Sequence, residues 1–128
     1  MKNIKKNKIA EVKIDEGLPT LYVDGQPFQA FAGEVHNSAA YDPDRMETEI
    51  WMKMEQSHLN TLIVPVYWET LEPEEGRYDF ALVDALLEQA VRYKKKLILL
   101  WFGLWKNAES AYVPEWMKQD SETFFHAE

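Results

Sequence analysis

The chain contains no cysteine, which excludes disulfides and thiolate metal sites. It is short of positive charge: 14 Lys and Arg stand against 22 Asp and Glu, for a formal net charge of −8. A phosphate backbone needs the opposite sign, so nucleic acid is not an expected partner. No apolar run reaches the length of a membrane span, and no membrane partner is expected. The stretch Met1 to Gly17 carries charge but no apolar h-region. No signal peptide is read there, and the expected location is cytoplasmic. Glycine is scarce, at 5 residues, and no Gly-rich phosphate loop follows the first strand. That argues against a dinucleotide-binding sheet. His36, His58 and His126 do not stand at ligand spacing, so neither a metal nor another cofactor is expected.

What is present can build a core. Hydrophobic residues make up 46% of the 128, enough for one ordinary domain. Trp, Tyr and Phe number 5, 6 and 6; such aromatics suit a sugar site and are equally ordinary core material. Residues 1–16 are polar and Lys-rich, a mobile arm or a peripheral strand. Asp24-Gly25, between Leu21-Tyr22-Val23 and Gln26-Pro27-Phe28, signals a hairpin, because both turn positions want positive φ. Pro27 confines the second arm to an edge or an early strand position.

Phe28 to Val35 reads as a buried strand leading into Glu34-Val35-His36-Asn37. Asp42 and Pro43 start a helix, with Met46, Ile50 and Met54 at spacing four and Trp51 beside them, running to about His58. Leu62 to Trp68 reads as a strand covered on both faces, weakened only by Pro65. A polar loop, Glu69 to Arg77, precedes a second helix from about Asp79, with Leu82, Val83, Leu86, Leu87, Ala90 and Val91 at 3–4 spacing. Lys94, Lys95 and Lys96 close that helix against its dipole. Leu97 to Phe102 is a third buried run, ended by Gly103 and followed by a long loop. Strands alternating with helices imply a parallel sheet with right-handed crossovers. The fold class is α/β. The three strand ends carry Glu34 to Asn37, Tyr67 to Glu69 and Trp101 to Asn107, which in a barrel converge on the active-site face.

The run Val66-Tyr67-Trp68-Glu69-Thr70-Leu71-Glu72-Pro73-Glu74-Glu75-Gly76-Arg77-Tyr78-Asp79-Phe80 resembles the pattern W-x-x-x-E-P-x-x-G-x-Y-D-F. That pattern follows the second barrel strand in β-galactosidases of glycoside hydrolase families 35 and 42. Met52-Lys53-Met54 and Leu59-Asn60-Thr61 resemble its lead-in. Trp105-Lys106-Asn107 and Tyr112-Val113-Pro114-Glu115-Trp116 resemble the third-strand loop of a bacterial branch of family 35. The likeness runs from about Leu18 to Asp120. It departs at Pro65, where the family commonly has Tyr, and at Leu71-Glu72-Pro73, where it has H-E-P.

The resemblance implies the N-terminal portion of a (β/α)₈ TIM barrel: about β1–β3 with intervening helices, preceded by a short β-hairpin. Residues 1–17 would be the polar arm, and 18–128 the partial barrel domain, truncated after about the third strand. It implies a retaining β-galactosidase-like glycosidase acting on O-glycosidic bonds, with a galactoside or related glycoside as substrate. In that clan the acid/base Glu follows the fourth strand, usually after Asn, and the nucleophile Glu ends the seventh. This chain has no Asn-Glu dipeptide, so no catalytic residue is assigned within it and the chain alone is expected to be inactive. Self-association through the open sheet edge is expected, with Leu62–Trp68 and Leu97–Phe102 as the sticky runs.

Six residues are candidate substrate contacts. Asn107 and Glu109 resemble the Asn-Ala-Glu segment that hydrogen-bonds galactose hydroxyls; a polar surface loop is the plainer reading. Glu34, His36 and Asn37 would floor the sugar subsite, His36 being equally a satisfied core histidine. Trp105 lies beyond the strand and is the better sugar-facing tryptophan; Trp68 and Trp101 are platform or core. Glu69 and Glu72 are too close on one loop to flank a glycosidic bond. Glu72 reads as a tie within the loop, and Glu69 as a group behind the substrate contacts. Two other classes stay open: a non-catalytic carbohydrate-binding or assembly protein using the same loop surface, and a (β/α)₈ enzyme acting on a non-sugar.

Overall fold

The computed structural model describes residues 10–106 and 110–124. It divides into two compact units, residues 1–31 and 32–128.

The first unit is an antiparallel meander. Strand β1 (Ala10–Asp15) pairs with β2 (Leu18–Val23), and β2 with the short β3 (Gln26–Pro27). Asp24 and Gly25 both take positive φ, 51° and 78°, the signature of a type I′ turn. The expected hairpin forms there, and Pro27 occupies the edge arm it can tolerate. A second turn of the same kind, at Glu16 (φ 48°) and Gly17 (φ 85°), folds Ala10–Asp15 back as a strand. Of the two readings of residues 1–16, the strand holds for these six residues.

The second unit is built on a parallel sheet in the order β4-β5-β6. The first expected strand is shorter and more exposed than its sequence implied: β4 is only Ala32–Glu34, at the sheet edge. Strand β5 (Thr61–Tyr67) is central and buried almost throughout, as a strand with neighbours on both sides must be. Pro65 fits because of where β4 stops. Val35 N–H donates to Ile63 C=O at 3.1 Å. The next rung of a parallel ladder would need the N–H of Pro65, which does not exist, so β4 and β5 part there.

The first helix starts as its cap predicts. The Asp42 carboxylate accepts from Asp44 and Arg45 N–H at 3.0 and 3.1 Å, with Pro43 at the first helical position. It runs through α1 (Pro43–Arg45), a π-helical stretch Met46–Trp51 and α2 (Met52–Gln56). The i→i+5 bonding of that stretch brings Met46 and Trp51, both fully buried, to one side. Trp68 to Leu71 form the single turn α3, and α4 is Ala81–Arg92.

Three expectations are corrected here. On α4, Leu82, Leu86, Ala90 and, beyond the helix, Tyr93 face the core, while Leu87 and Val91 are exposed. The apolar band was wider than the sheet contact. Strand β6 (Lys96–Phe102) is not a buried run: Ile98, Leu99 and Trp101 are 46%, 45% and 50% exposed. Among the described residues it is the other edge of the sheet. Nor do the lysines only close a helix. The helix stops at Arg92, Lys94 turns the chain through positive φ (54°), and Lys95 Nζ donates to Leu59 C=O at 2.9 Å. Among the described residues the sheet has three parallel strands and does not close into a barrel. No helix among them is long and apolar enough to cross a membrane.

Candidate functional site

The parallel register brings the C-terminal ends of β4, β5 and β6 to one end of the sheet, with Tyr67 opposite Phe102. Tyr67 is fully buried. Its ring stacks on Tyr41 at 3.7 Å between centroids and packs against Tyr112 and the edge of Phe102. Its hydroxyl donates to Asn37 C=O at 2.6 Å. One tyrosine thus ties the end of β5 to the segment leaving β4 and to the segment returning after β6. Burial pushes the Tyr67 and Tyr41 phenols well above the usual tyrosine range; for Tyr41 the hydrogen bond to Glu69 adds to the effect.

Glu69 stands directly after this aromatic group. Its N–H donates to Tyr112 C=O at 3.0 Å. One carboxylate oxygen accepts from the Tyr41 hydroxyl, and the other pairs with Lys118 Nζ at 3.0 Å. Lys118 lies on the last helix, α5 (Glu115–Gln119). With both oxygens engaged by Tyr41 and Lys118, Glu69 joins three segments. Glu72 is a loop tie, as its position implied. It accepts from Trp68 Nε1 at 2.7 Å and from Gly76 N–H at 2.9 Å, and these two donors hold its carboxyl below the usual carboxylate range.

The loop after β6 is a hairpin. Strands β7 (Trp105–Lys106) and β8 (Ser110–Ala111) pair Trp105 with Ala111 and Lys106 with Ser110. Tyr112 N–H closes the base on Leu104 C=O at 3.1 Å. Lys106 Nζ reaches across the sheet end to Glu34, 3.6 Å away, and sits 4.7 Å above the Phe102 ring. Asn107 and Glu109, the two principal candidates, lie outside the described residues.

The other candidates fall as follows. Glu34 joins the hairpin through Lys106. His36 is exposed, with Nδ1 accepting from Ser38 N–H at 3.4 Å, so it is not a core histidine. Asn37 is half-buried and offers its carbonyl to Tyr67. Trp105 is 71% exposed beyond the strand. Trp68 and Trp101 meet each other at 6.3 Å, and Trp101 points to the opposite face of β6 from Phe102. Glu34 and His36 also line a cavity of about 280 Å³, shared with Lys53 and Ser57 of the first helix region. Leu59 and Leu62 also line it.

Tyr41, Lys106 and Lys118 were not among the candidates. Only Lys106 had a signal, standing between Trp105 and Asn107 in the quoted block. Nothing local in the sequence brings Tyr41 and Lys118 to Glu69 from 28 and 49 positions away.

The model of Glycosyl hydrolases family 35 matches residues 20–126. A β-galactosidase of Felis catus is 35% identical over 72 residues, covering 54% of this chain and 10% of that protein. Beta-galactosidase BbgII of Bifidobacterium bifidum is 29% identical over 69 residues, covering 50% and 10%. The chain thus spans about a tenth of the length of these curated relatives. Among solved structures, the exo-beta-1,4-mannosidase Op5Man5 from Opitutaceae bacterium strain TAV5 superposes with a TM-score of 0.55 at 19% identity. That match covers 72% of this chain and 18% of the other, and it relates the fold to that of a TIM-barrel glycoside hydrolase.

Proposed function

The chain belongs to glycosyl hydrolase family 35, and from that membership we propose that it is the N-terminal part of a retaining β-galactosidase whose catalytic carboxylates lie outside these 128 residues. On this reading residues 1–17 are a peripheral arm and 18–128 contribute the first strands of the barrel. The observation that carries the reading is the hairpin at the strand ends. Lys106 anchors it to Glu34 across the sheet, and Trp105 stands exposed beside it. Loops at the C-terminal ends of barrel strands carry the substrate contacts of such enzymes.

The division of labour follows from the chemistry. Asn107 and Glu109 supply a donor/acceptor amide and a charged acceptor to paired sugar hydroxyls. Trp105 lines the same subsite, and Glu34, His36 and Asn37 form its floor. Tyr67, Tyr41 and Glu69 hold the strand ends in register beneath them. The proton transfer and the nucleophilic attack belong to two carboxyl groups that must sit about 5–5.5 Å apart across the bond. Glu69 and Glu72 are committed to structural partners and take neither role.

The test uses the protein extended along its own reading frame. Glu109→Gln keeps the shape and removes a charged acceptor. Losing such a hydrogen bond costs about 1.5–3 kcal/mol, a fall in kcat/KM of roughly ten- to hundredfold on a nitrophenyl galactoside. Asn107→Ala does similar damage. Glu74→Gln, on the exposed turn where Glu74 pairs only with Arg77 among the described residues, leaves kcat/KM unchanged. If both loop variants stay within about twofold of wild type, the hairpin does not recognise the sugar.

A further inference from the structure

The seat of the hairpin is built from separated parts of the chain. A Cβ added to Gly33 would meet Leu59 Cδ1 at 2.8 Å, so that side of β4 packs on the segment leaving the first helix. Glu34, the next residue, takes the opposite face. It pairs in register with Ile63, and Tyr67 stands four positions on from Ile63, on the same face and opposite Phe102. Glu34, Tyr67 and Phe102 therefore share one face of the sheet, and on the barrel reading it is the inner one.

The ring beneath Lys106 is fixed. Phe102 is buried and is packed by Tyr67 and Tyr112. Lys106 Nζ stands 4.7 Å above that ring and 3.6 Å from the Glu34 carboxylate. A lone exposed ion pair orders little, but a cation shared by a carboxylate and a ring face is located from two sides. Lys106 also pairs with Ser110 across the hairpin and is bonded directly to Asn107.

We propose that Lys106 is a positioning residue for the sugar subsite: its ammonium, seated between Glu34 and Phe102, holds the hairpin in the orientation that receives the sugar. The inference rests on the galactosidase reading and names the residue on which the hairpin's orientation depends. The hairpin then has a seated and a released orientation, and only the seated one binds. The apparent dissociation constant rises as the seated fraction falls. The bound complex contains the seated hairpin in either case, so the loss falls on KM and leaves kcat in place. A nitrophenyl galactoside is uncharged, so ionic strength acts on the enzyme's own ion pair and not on attraction of the substrate.

Lys106→Met keeps the stem and removes the charge. In the protein extended along its reading frame it raises KM for a nitrophenyl galactoside on the order of tenfold, with kcat within about twofold of wild type and an unchanged melting temperature. Lys106→Arg, which can both pair and stack, restores KM. Glu34→Gln also raises KM, and the double variant loses less than the product of the singles, since both act on one contact. Salt raises KM of the wild type and not of Lys106→Met. Arg77→Met, which breaks an exposed pair with Glu74 on another loop, leaves KM unchanged. Independently of activity, the Tyr112 amide, which closes the hairpin base on Leu104, exchanges with deuterium faster in Lys106→Met than in wild type. An unchanged KM, a fall in kcat at constant KM, an arginine variant as impaired as the methionine one, a wild-type KM indifferent to salt, or unaltered exchange at Tyr112 would each overturn the proposal. Asn107→Ala separates the two claims. If it is impaired while Lys106→Met is not, the hairpin recognises the sugar without this anchor; if neither is impaired, the reading of the hairpin fails and the inference with it.

Discussion

At the residue scale, Glu72 decides how the loop after β5 behaves. Its carboxylate is held by Trp68 Nε1 and Gly76 N–H, which lower its pKa in the folded state. A depressed carboxylate pKa contributes stability that is present above the unfolded pKa and lost as pH falls through the folded value. The expected outcome is a melting temperature that drops on acidification through and below the usual carboxylate range. Glu72→Gln lowers the melting temperature at neutral pH and flattens that part of the profile; an unchanged acid slope in the variant would contradict the assignment. Glu72 was legible because a second carboxylate three residues away on the same loop cannot flank a sugar. The partners of Glu69 were not, since Tyr41 and Lys118 reach it only through the fold. His36 was equally open to core and site readings, and only its exposed place after β4 rules out the core one.

At the element scale, a buried amide is one of the groups that join the two long helical segments. Trp51 Nε1 donates to Gln89 Oε1 at 2.8 Å, both residues being buried, and Gln89 Nε2 donates to Pro43 C=O at 2.8 Å. Trp51→Phe leaves the Gln89 oxygen buried without its donor, at a cost of about 1–3 kcal/mol. Gln89→Leu leaves the indole N–H in the same position. Because removing both partners is far cheaper than removing either, the double variant loses less stability than the sum of the singles in urea unfolding. Strict additivity would mean that the bond does not couple the helices. The start of the first helix was readable from Asp42 and Pro43, since capping is local. The π-helical stretch was not, because stepping from Met46 to Ile50 by four hides the closer kinship of Met46 with Trp51. On α4 the 3–4 spacing marked an apolar band without saying that Leu87 and Val91 fall outside the sheet contact.

At the scale of the whole molecule, the alternation of strands and helices identified a parallel sheet, and the order β4-β5-β6 agrees with it. Composition could not separate β5 from β6: both are apolar runs, but one has neighbours on both sides and the other on one. The exposed large apolar side chains accordingly belong to β6 and not to β5. The family is established over residues 20–126, while its relatives are about ten times longer than the matched region. The central claim is that this chain carries the first strand ends of a galactosidase and none of its catalytic carboxylates. The most direct measurement is nitrophenyl β-galactoside hydrolysis by the purified 128-residue chain beside the protein extended along its reading frame. The account predicts turnover by the extended protein alone. Turnover by the 128-residue chain that survives stringent purification and disappears in Glu109→Gln would contradict it, as would an extended protein with no galactosidase activity.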